Sequence, residues 1–295
     1  MKKISAFFLI PAAMCICFVA CTPKPIDIDV APAKPKLVVA SQIIPNKIMI
    51  VALSKSFSAL SNPANNGNDS VSQNFLDSLL VEHAFVTVSY MNTTDTLFKL
   101  SAGIYASVNT LQYDHGTYTL YAKDSVTGEE IHASSVLLPL VPFDTVYPVI
   151  DKTTADSLVS VKLEFSDNPN EKNWYVINYI LKKRSGTNFD INSYFSLGSN
   201  KILTKFKLLS DQTFENNKYI NETQLEEVNP NDTLAVTISN ISEGYYQFLT
   251  AYKKTGNIFN QITGEPINYP SNVINGYGYF NTHYPGVRIF DLNNY

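Results

Sequence analysis

The chain has 295 residues, 45% hydrophobic and 16% charged, a balance that excludes a disordered polymer and supplies apolar surface for a real core. Its formal net charge is −4, and without Lys2 and Lys3 it holds 20 basic against 26 acidic residues. That acidity leaves no electrostatic footprint for nucleic acid, and the local basic run Lys182-Lys183-Arg184 reads as a solvated strand end.

Residues 1–20 read as a signal peptide. Lys2 and Lys3 form a short basic start, and residues 4–20 are apolar apart from Ser5 and Pro11. A bilayer core of roughly 30 Å needs about 20 apolar residues, so this run is too short and is broken by Pro11. It ends in Phe18-Val19-Ala20-Cys21, which resembles a bacterial lipobox: a small residue before the cut, then the cysteine that is lipidated. Met14 and Ile16 stand where Cys15 and Cys17 would need a small residue, which leaves Cys21 as the expected lipid carrier. Each buried CH₂ of an acyl chain contributes about 0.8 kcal/mol, so a multiply acylated Cys21 holds the chain on a membrane. Residues 21–35 follow as a tether. Pro23, Pro25, Pro32 and Pro35 favour polyproline II, and at about 3.1 Å per residue the tether spans on the order of 40 Å. Asp27 and Asp29 come late, behind Lys24, so the pattern selects neither membrane face. Cys21 is the only cysteine beyond residue 20, so the processed chain is expected to form no disulfide and to offer no second thiol.

From residue 36 the pattern is β. Runs at 36–40 and 47–53 are split by the turn signal Pro45-Asn46. Residues 61–70 read as a surface loop, 75–81 as compatible with a short helix, and 85–90 as a half-buried alternating strand. Asp114-His115-Gly116-Thr117-Tyr118-Thr119-Leu120 resembles the Asp-x-Gly-x-Tyr-x-Cys corner of immunoglobulin-like sandwiches, with Leu120 in place of the cysteine. Tyr118, Leu120 and Ala122 then share one strand face, and Thr127-Gly128 turns the chain into a strand at 131–137. Residues 36–139 are expected to form an immunoglobulin-like β-sandwich.

Pro139, Pro142 and Pro148 mark the expected border, because proline is excluded from central strands. Residues 140–295 read as a second β-rich domain with strands at 160–165, 174–181, 201–209 and 232–239. The first two are expected to form a hairpin turned by Asp167-Asn168-Pro169-Asn170-Glu171. One helix is expected near 241–254, with Ser242 as N-cap, Glu243 in the first turn, Lys253 and Lys254 in the last, and Gly256 closing it. Ile241, Tyr245, Phe248, Leu249 and Tyr252 form one stripe, which reads as a helix covering a sheet. Gly244 weakens its start by up to about 1 kcal/mol. The fold class is therefore mainly β.

No catalytic pattern emerges. His83, His115, His132 and His283 lack an i, i+4 pair, and no His-Glu-x-x-His, Gly-x-Ser-x-Gly or phosphate loop occurs. The 167–171 turn offers oxygen ligands without the twelve-residue spacing or the glycine of a calcium loop. Glu129-Glu130 and Glu226-Glu227 are adjacent pairs, which strands send to opposite faces, the wrong arrangement for glycoside hydrolysis. The expectation is a non-enzyme with no metal or cofactor. The most distinctive C-terminal stretch is Asn275-Gly276-Tyr277-Gly278-Tyr279-Phe280. It reads either as a glycine-relieved core strand or as a contact surface of Tyr277, Tyr279 and Phe280, since tyrosine is favoured among interface anchors.

A longer set of landmarks runs over nearly the whole processed chain. It comprises Cys21 with Ile26-Asp27, Pro35-Lys36-Leu37-Val38-Val39, Gly116-Thr117-Tyr118-Thr119-Leu120, Tyr246-x-Phe248-Leu249, Gly256-Asn257-x-Phe259, Glu265-Pro266, Ser271-Asn272-Val273 and Gly276-Tyr277-Gly278-Tyr279-Phe280. In this order they resemble the domain-of-unknown-function lipoproteins numbered four-two-four-nine, found in Bacteroidetes. Ala40-Ser41 departs from a common glycine, as does Asn275. The family has no established catalytic residues to carry over. The resemblance implies an outer-membrane lipoprotein that assists a TonB-dependent receptor in ligand capture or uptake, with a structural or adhesive envelope protein as the alternative. Substituting Cys21→Ala is expected to move the protein out of the membrane fraction; retention there with continued incorporation of labelled palmitate would refute the lipobox.

Overall fold

The computed structural model describes residues 34–44, 48–57, 73–108, 116–151, 158–182, 202–214, 216–226, 228–229, 232–255 and 269–294. The signal peptide, Cys21, the tether up to residue 33, the 61–70 loop, Pro45-Asn46, Asp114, His115, Lys183, Arg184, Glu227, Gly256-Asn257, Phe259 and Glu265-Pro266 lie outside the described residues.

Period-two alternation builds the first sandwich. Its strands are β1 (Leu37–Ile44), β2 (Ile48–Lys55), β3 (Ala84–Tyr90), β4 (Thr93–Ser101), β5 (Ile104–Ala106), β6 (Thr117–Asp124) and β7 (Glu130–Val136). A short helix, α1 (Gln73–Ser78), precedes β3. On β6, Tyr118, Leu120 and Ala122 all point inward, as their spacing requires. One layer runs β5-β2-β1 and the other β4-β3-β6-β7, with β4 pairing onto β5 as well across a register shift between Lys99 and Ser101. The layers enclose Leu37, Val39, Met49, Val51, Leu53, Val86, Val88, Tyr118, Leu120 and Ile131. Each such side chain contributes about 1.5–3 kcal/mol when fully buried. Tyr118 stacks on Tyr90 at 4.5 Å. Polar groups that enter the core are satisfied: the Tyr105 hydroxyl accepts from the Ala84 N–H at 2.9 Å and donates to the Val81 carbonyl at 2.9 Å. Buried Asp124 accepts from the Val126 N–H and the Thr127 hydroxyl and pairs with Lys55 at 3.1 Å. Burial pushes its carboxyl up, but these three partners outweigh that and hold it below the ordinary carboxylate range.

The second sandwich repeats the first strand for strand. It holds β8 (Thr145–Asp151), β9 (Leu158–Ser166), β10 (Trp174–Lys182), β11 (Ile202–Ser210), β12 (Lys218–Leu225) and β13 (Thr233–Ile241). After β14 (Val273–Ile274) and β15 (Tyr277–Tyr279), the chain returns to it with β16 (Gly286–Asp291). The layers are β12-β9-β8 and β11-β10-β13-β16, the same order as in the first unit. The fold is thus mainly β, an immunoglobulin-like sandwich followed by a second sandwich with one covering helix, α2 (Glu243–Thr255), lying against β10 and β11. Among the described residues, Pro148 sits in β8, an edge strand that pairs with β9 alone, where a missing N–H is tolerated.

One expected local pairing is corrected. β9 and β10 are not a hairpin, since β9 pairs with β8 and β12 while β10 pairs with β11 and β13. The 167–173 connection is an arch between layers. Asp167 accepts from the Tyr175 hydroxyl and from the Asn173 side-chain amide, Asp211 accepts from the Asn173 N–H at 2.6 Å, and Asn240 donates to Asn173 at 3.0 Å. Below this arch Phe165 sits within 5.0–5.6 Å of the rings of Tyr175, Phe214 and Tyr219. Phe165→Ala is expected to cost about 3–5 kcal/mol, read as a lower urea midpoint with an unchanged denaturant slope; a loss under about 1 kcal/mol would show that this cluster does not anchor the core.

Candidate contact surface

The segment between β13 and β16 carries both the helix and the glycine-aromatic stretch. Ile241 ends β13 and is buried there, so the helix starts two residues later than its apolar stripe suggests. Ser242 caps it: its Oγ accepts from the Tyr245 N–H at 3.3 Å, and its carbonyl accepts from the Tyr246 N–H at 2.9 Å. At the other end Lys253 stands 5.7 Å over the Phe206 ring. Helical spacing puts Tyr245 and Phe248 on one face, with ring centroids 6.0 Å apart. Tyr279 lies 5.1 Å from Tyr245 and 5.6 Å from Phe248, Tyr269 lies 5.8 Å from Phe248, and His283 stacks on Tyr245 at 5.7 Å. Tyr245, Phe248 and Tyr269 remain half-buried, so the seam shows part of its aromatic surface to solvent. Gly244 makes this packing possible. A Cβ there would stand 2.6 Å from the Tyr279 hydroxyl, so its cost to helix propensity is offset by close approach.

The three expected contact residues have different fates. Tyr277 is 50% exposed, with Lys36 Nζ 5.3 Å above its ring. Tyr279 is 9% exposed and belongs to the seam. Phe280 is fully buried in the core of the first sandwich, so it is a packing residue and not part of a surface. Tyr277 and Tyr279 lie in β15, parallel to β1 in the register Val38↔Tyr277 and Ala40↔Tyr279, and Phe280 directly follows that strand. Gly278 has φ +91°, and any Cβ there would overlap the Val39 carbonyl. Asn275 takes the left-handed turn at φ 66°, a conformation asparagine tolerates among non-glycine residues.

Sequence reasoning missed the polar residues that fix this segment. The Asn272 side chain donates to the carbonyls of Ser134 and Phe280, both at 2.7 Å, and accepts from the Phe280 N–H at 2.9 Å. Ser41 Oγ donates to the Asn281 carbonyl at 2.8 Å and accepts from its N–H at 2.6 Å. Thr282 donates to Ser135 Oγ at 3.0 Å. The His283 N–H donates to Asn281 Oδ1, which turns the Asn281 amide nitrogen toward His283 Nδ1 and makes that ring nitrogen the acceptor. These contacts join residues up to 240 positions apart, and no local pattern announces them.

His83 and His132 are exposed, His132 lies against Tyr121 at 4.9 Å, and His283 is buried far along the chain; among the described residues no group of three or more His, Cys, Asp or Glu is placed to hold a metal. Glu130 accepts from the Tyr121 hydroxyl at 3.0 Å. Among the described residues no helix is long and apolar enough to cross a membrane.

The family described as Domain of unknown function (DUF4249) matches residues 23–284. The chain belongs to that family. No curated protein matches this DUF4249 chain. Among solved structures, the crystal structure of chicken CNTN1 FN1-FN3 domains is similar at 13% identity, covering 72% of this chain and 61% of that one, with a TM-score of 0.25. Bacteroides uniformis beta-glucuronidase 2, solved covalently bound to cyclophellitol-6-carboxylate aziridine, is similar at 12% identity over 56% of this chain and 22% of that one, with a TM-score of 0.22. The DUF4249 chain thus spans less than two thirds of the length of either.

His283 is 7% exposed, and burial pushes its imidazole down to about 4 from an ordinary 6.5. The folded state therefore holds it neutral. Its contribution is fully present above pH 6.5 and is lost as pH falls toward 4, by roughly 3 kcal/mol. Asp124, held low in the fold, also loses stability in acid, so the comparison needs a variant. In urea unfolding across pH 7 to 4, His283→Gln is expected to remove about that much of the acid slope; an unchanged slope would refute the buried neutral ring.

Proposed function

We propose that this chain is a lipid-anchored binding module that docks on a TonB-dependent outer-membrane receptor and assists ligand capture or uptake. The observation that carries the reading is the half-exposed aromatic seam of Tyr245, Phe248 and Tyr269, with exposed Tyr277 on the same inserted segment. Partly desolvated tyrosine and phenylalanine on a braced scaffold are the chemistry of interface anchors. The lipobox at Cys21, the tether over 21–35 and the family resemblance supply the membrane and receptor context. The acidic balance and the lack of a catalytic pattern in the sequence favour protein contact over chemistry. The alternative is a structural or adhesive spacer, favoured by one specific observation: two sandwiches of the same strand order in tandem.

Gentle detergent solubilisation of the outer membrane followed by affinity purification is expected to recover a TonB-dependent receptor. Tyr277→Ser combined with Phe248→Ser is expected to cut that recovery at least tenfold, since anchor residues cost about 2 kcal/mol or more each, while circular dichroism stays unchanged. Recovery of no receptor with the native chain, together with altered attachment and normal nutrient uptake in a deletion strain, would replace this reading by the spacer.

A further inference from the structure

The two sandwiches share one strand order and differ in one connection. β6 reaches β7 through residues 125–129, whereas the corresponding path from β13 to β16 runs through 242–285. That path first lays α2 on its own sandwich and then crosses to the other. There β15 extends the β5-β2-β1 layer beyond β1, and β14 extends the β4-β3-β6-β7 layer beyond β7. β1 and β7 would otherwise be the outermost strands, one in each layer. The turn at Asn275-Gly276 joins the two added strands, so one short segment covers both edges on that side. On the far side β4 pairs into both layers. The piece that caps β1 over Val38–Ala40 and β7 over His132 and Ala133 therefore comes from the second half of the chain. The same piece plugs the core with Phe280 and is fastened by Asn272 to β7, by Ser41 to β1 and by Thr282 to Ser135. Uncovered edges expose rows of unpaired N–H and C=O groups, so a first sandwich lacking this piece loses both edge pairing and core volume.

We propose that residues 269–285 are a clasp that makes the first sandwich depend on the second, so that the two unfold as one cooperative unit although each has its own core. Calorimetry and hydrogen exchange on the full processed chain test this. The native chain is expected to show one transition, with calorimetric and van't Hoff enthalpies agreeing, and equal opening free energies for the slowest amides of β1, β7, β10 and β13. Asn272→Ala is expected to speed exchange of the slowest amides of β1, β7, β10 and β13 together, by one common factor of at least tenfold. Gly278→Val is expected to split the transition in two; if it does not fold, Asn272→Ala and the native chain still decide. Two separate transitions in the native chain, or exchange within twofold of native in any of these four strands in Asn272→Ala, would overturn the clasp.

Discussion

The parallel pairing of β15 with β1 is the contact on which the rest of this chain depends. It is permitted at one point by Gly278, whose missing Cβ lets the two backbones meet at the Val39 carbonyl. From that meeting follow the placement of Phe280 in the first core, the seating of β14 on β7, and the return path through Asn281 and His283 to β16. A side chain at Gly278 would therefore act at a distance. It would unseat a core residue and open two edges without touching most of what it disturbs.

Beyond residue 20 the sequence holds one cysteine, Cys21, so stability there rests on packing and on satisfied polar groups. The aromatic content is used for this in two ways. In the second core, Phe165, Tyr175, Phe214 and Tyr219 crowd one another near the arch, and Tyr175 turns its hydroxyl outward to Asp167. Burial and that carboxylate push the Tyr175 hydroxyl far up, so it stays a donor at any physiological pH. In the inserted segment the rings of Tyr245, Phe248, Tyr269 and Tyr277 are only partly covered, and there the same residue type is available for contact.

Much of this was legible in residue order. Alternation found β3 and β6, whose Val86, Val88, Tyr118, Leu120 and Ala122 all lie in the core, and Ser242 gave away the helix start, because an N-cap is a local bond. The arch at 167–173 misled because a turn motif fixes a reversal but not the sheet that the next strand joins. That choice belongs to β8 and β12, which flank β9. β14 was invisible as a strand because two residues carry no period, and its partner lies more than a hundred positions upstream. β15 was legible as a strand through Gly276 and Gly278, but the signal was ambiguous, since close approach serves a core strand and a bare contact face alike, and nothing in it named β1 as the partner. The structure divides the stretch, with Phe280 inside, Tyr279 at the seam and Tyr277 outside.

Lys36 adds a geometric constraint to the proposed docking. Its Nζ stands over the exposed Tyr277 ring, and Lys36 immediately follows the tether read at 21–35. The exposed tyrosine is thus held beside the point where the tether enters the fold, not at the far end of the second sandwich. On the proposed reading, a lipid at Cys21 would confine the chain to the membrane that holds the receptor, so their encounter would stay bimolecular but run in two dimensions at a raised local concentration. Half-covered tyrosines would then need to supply less binding free energy than for a partner met from bulk solution.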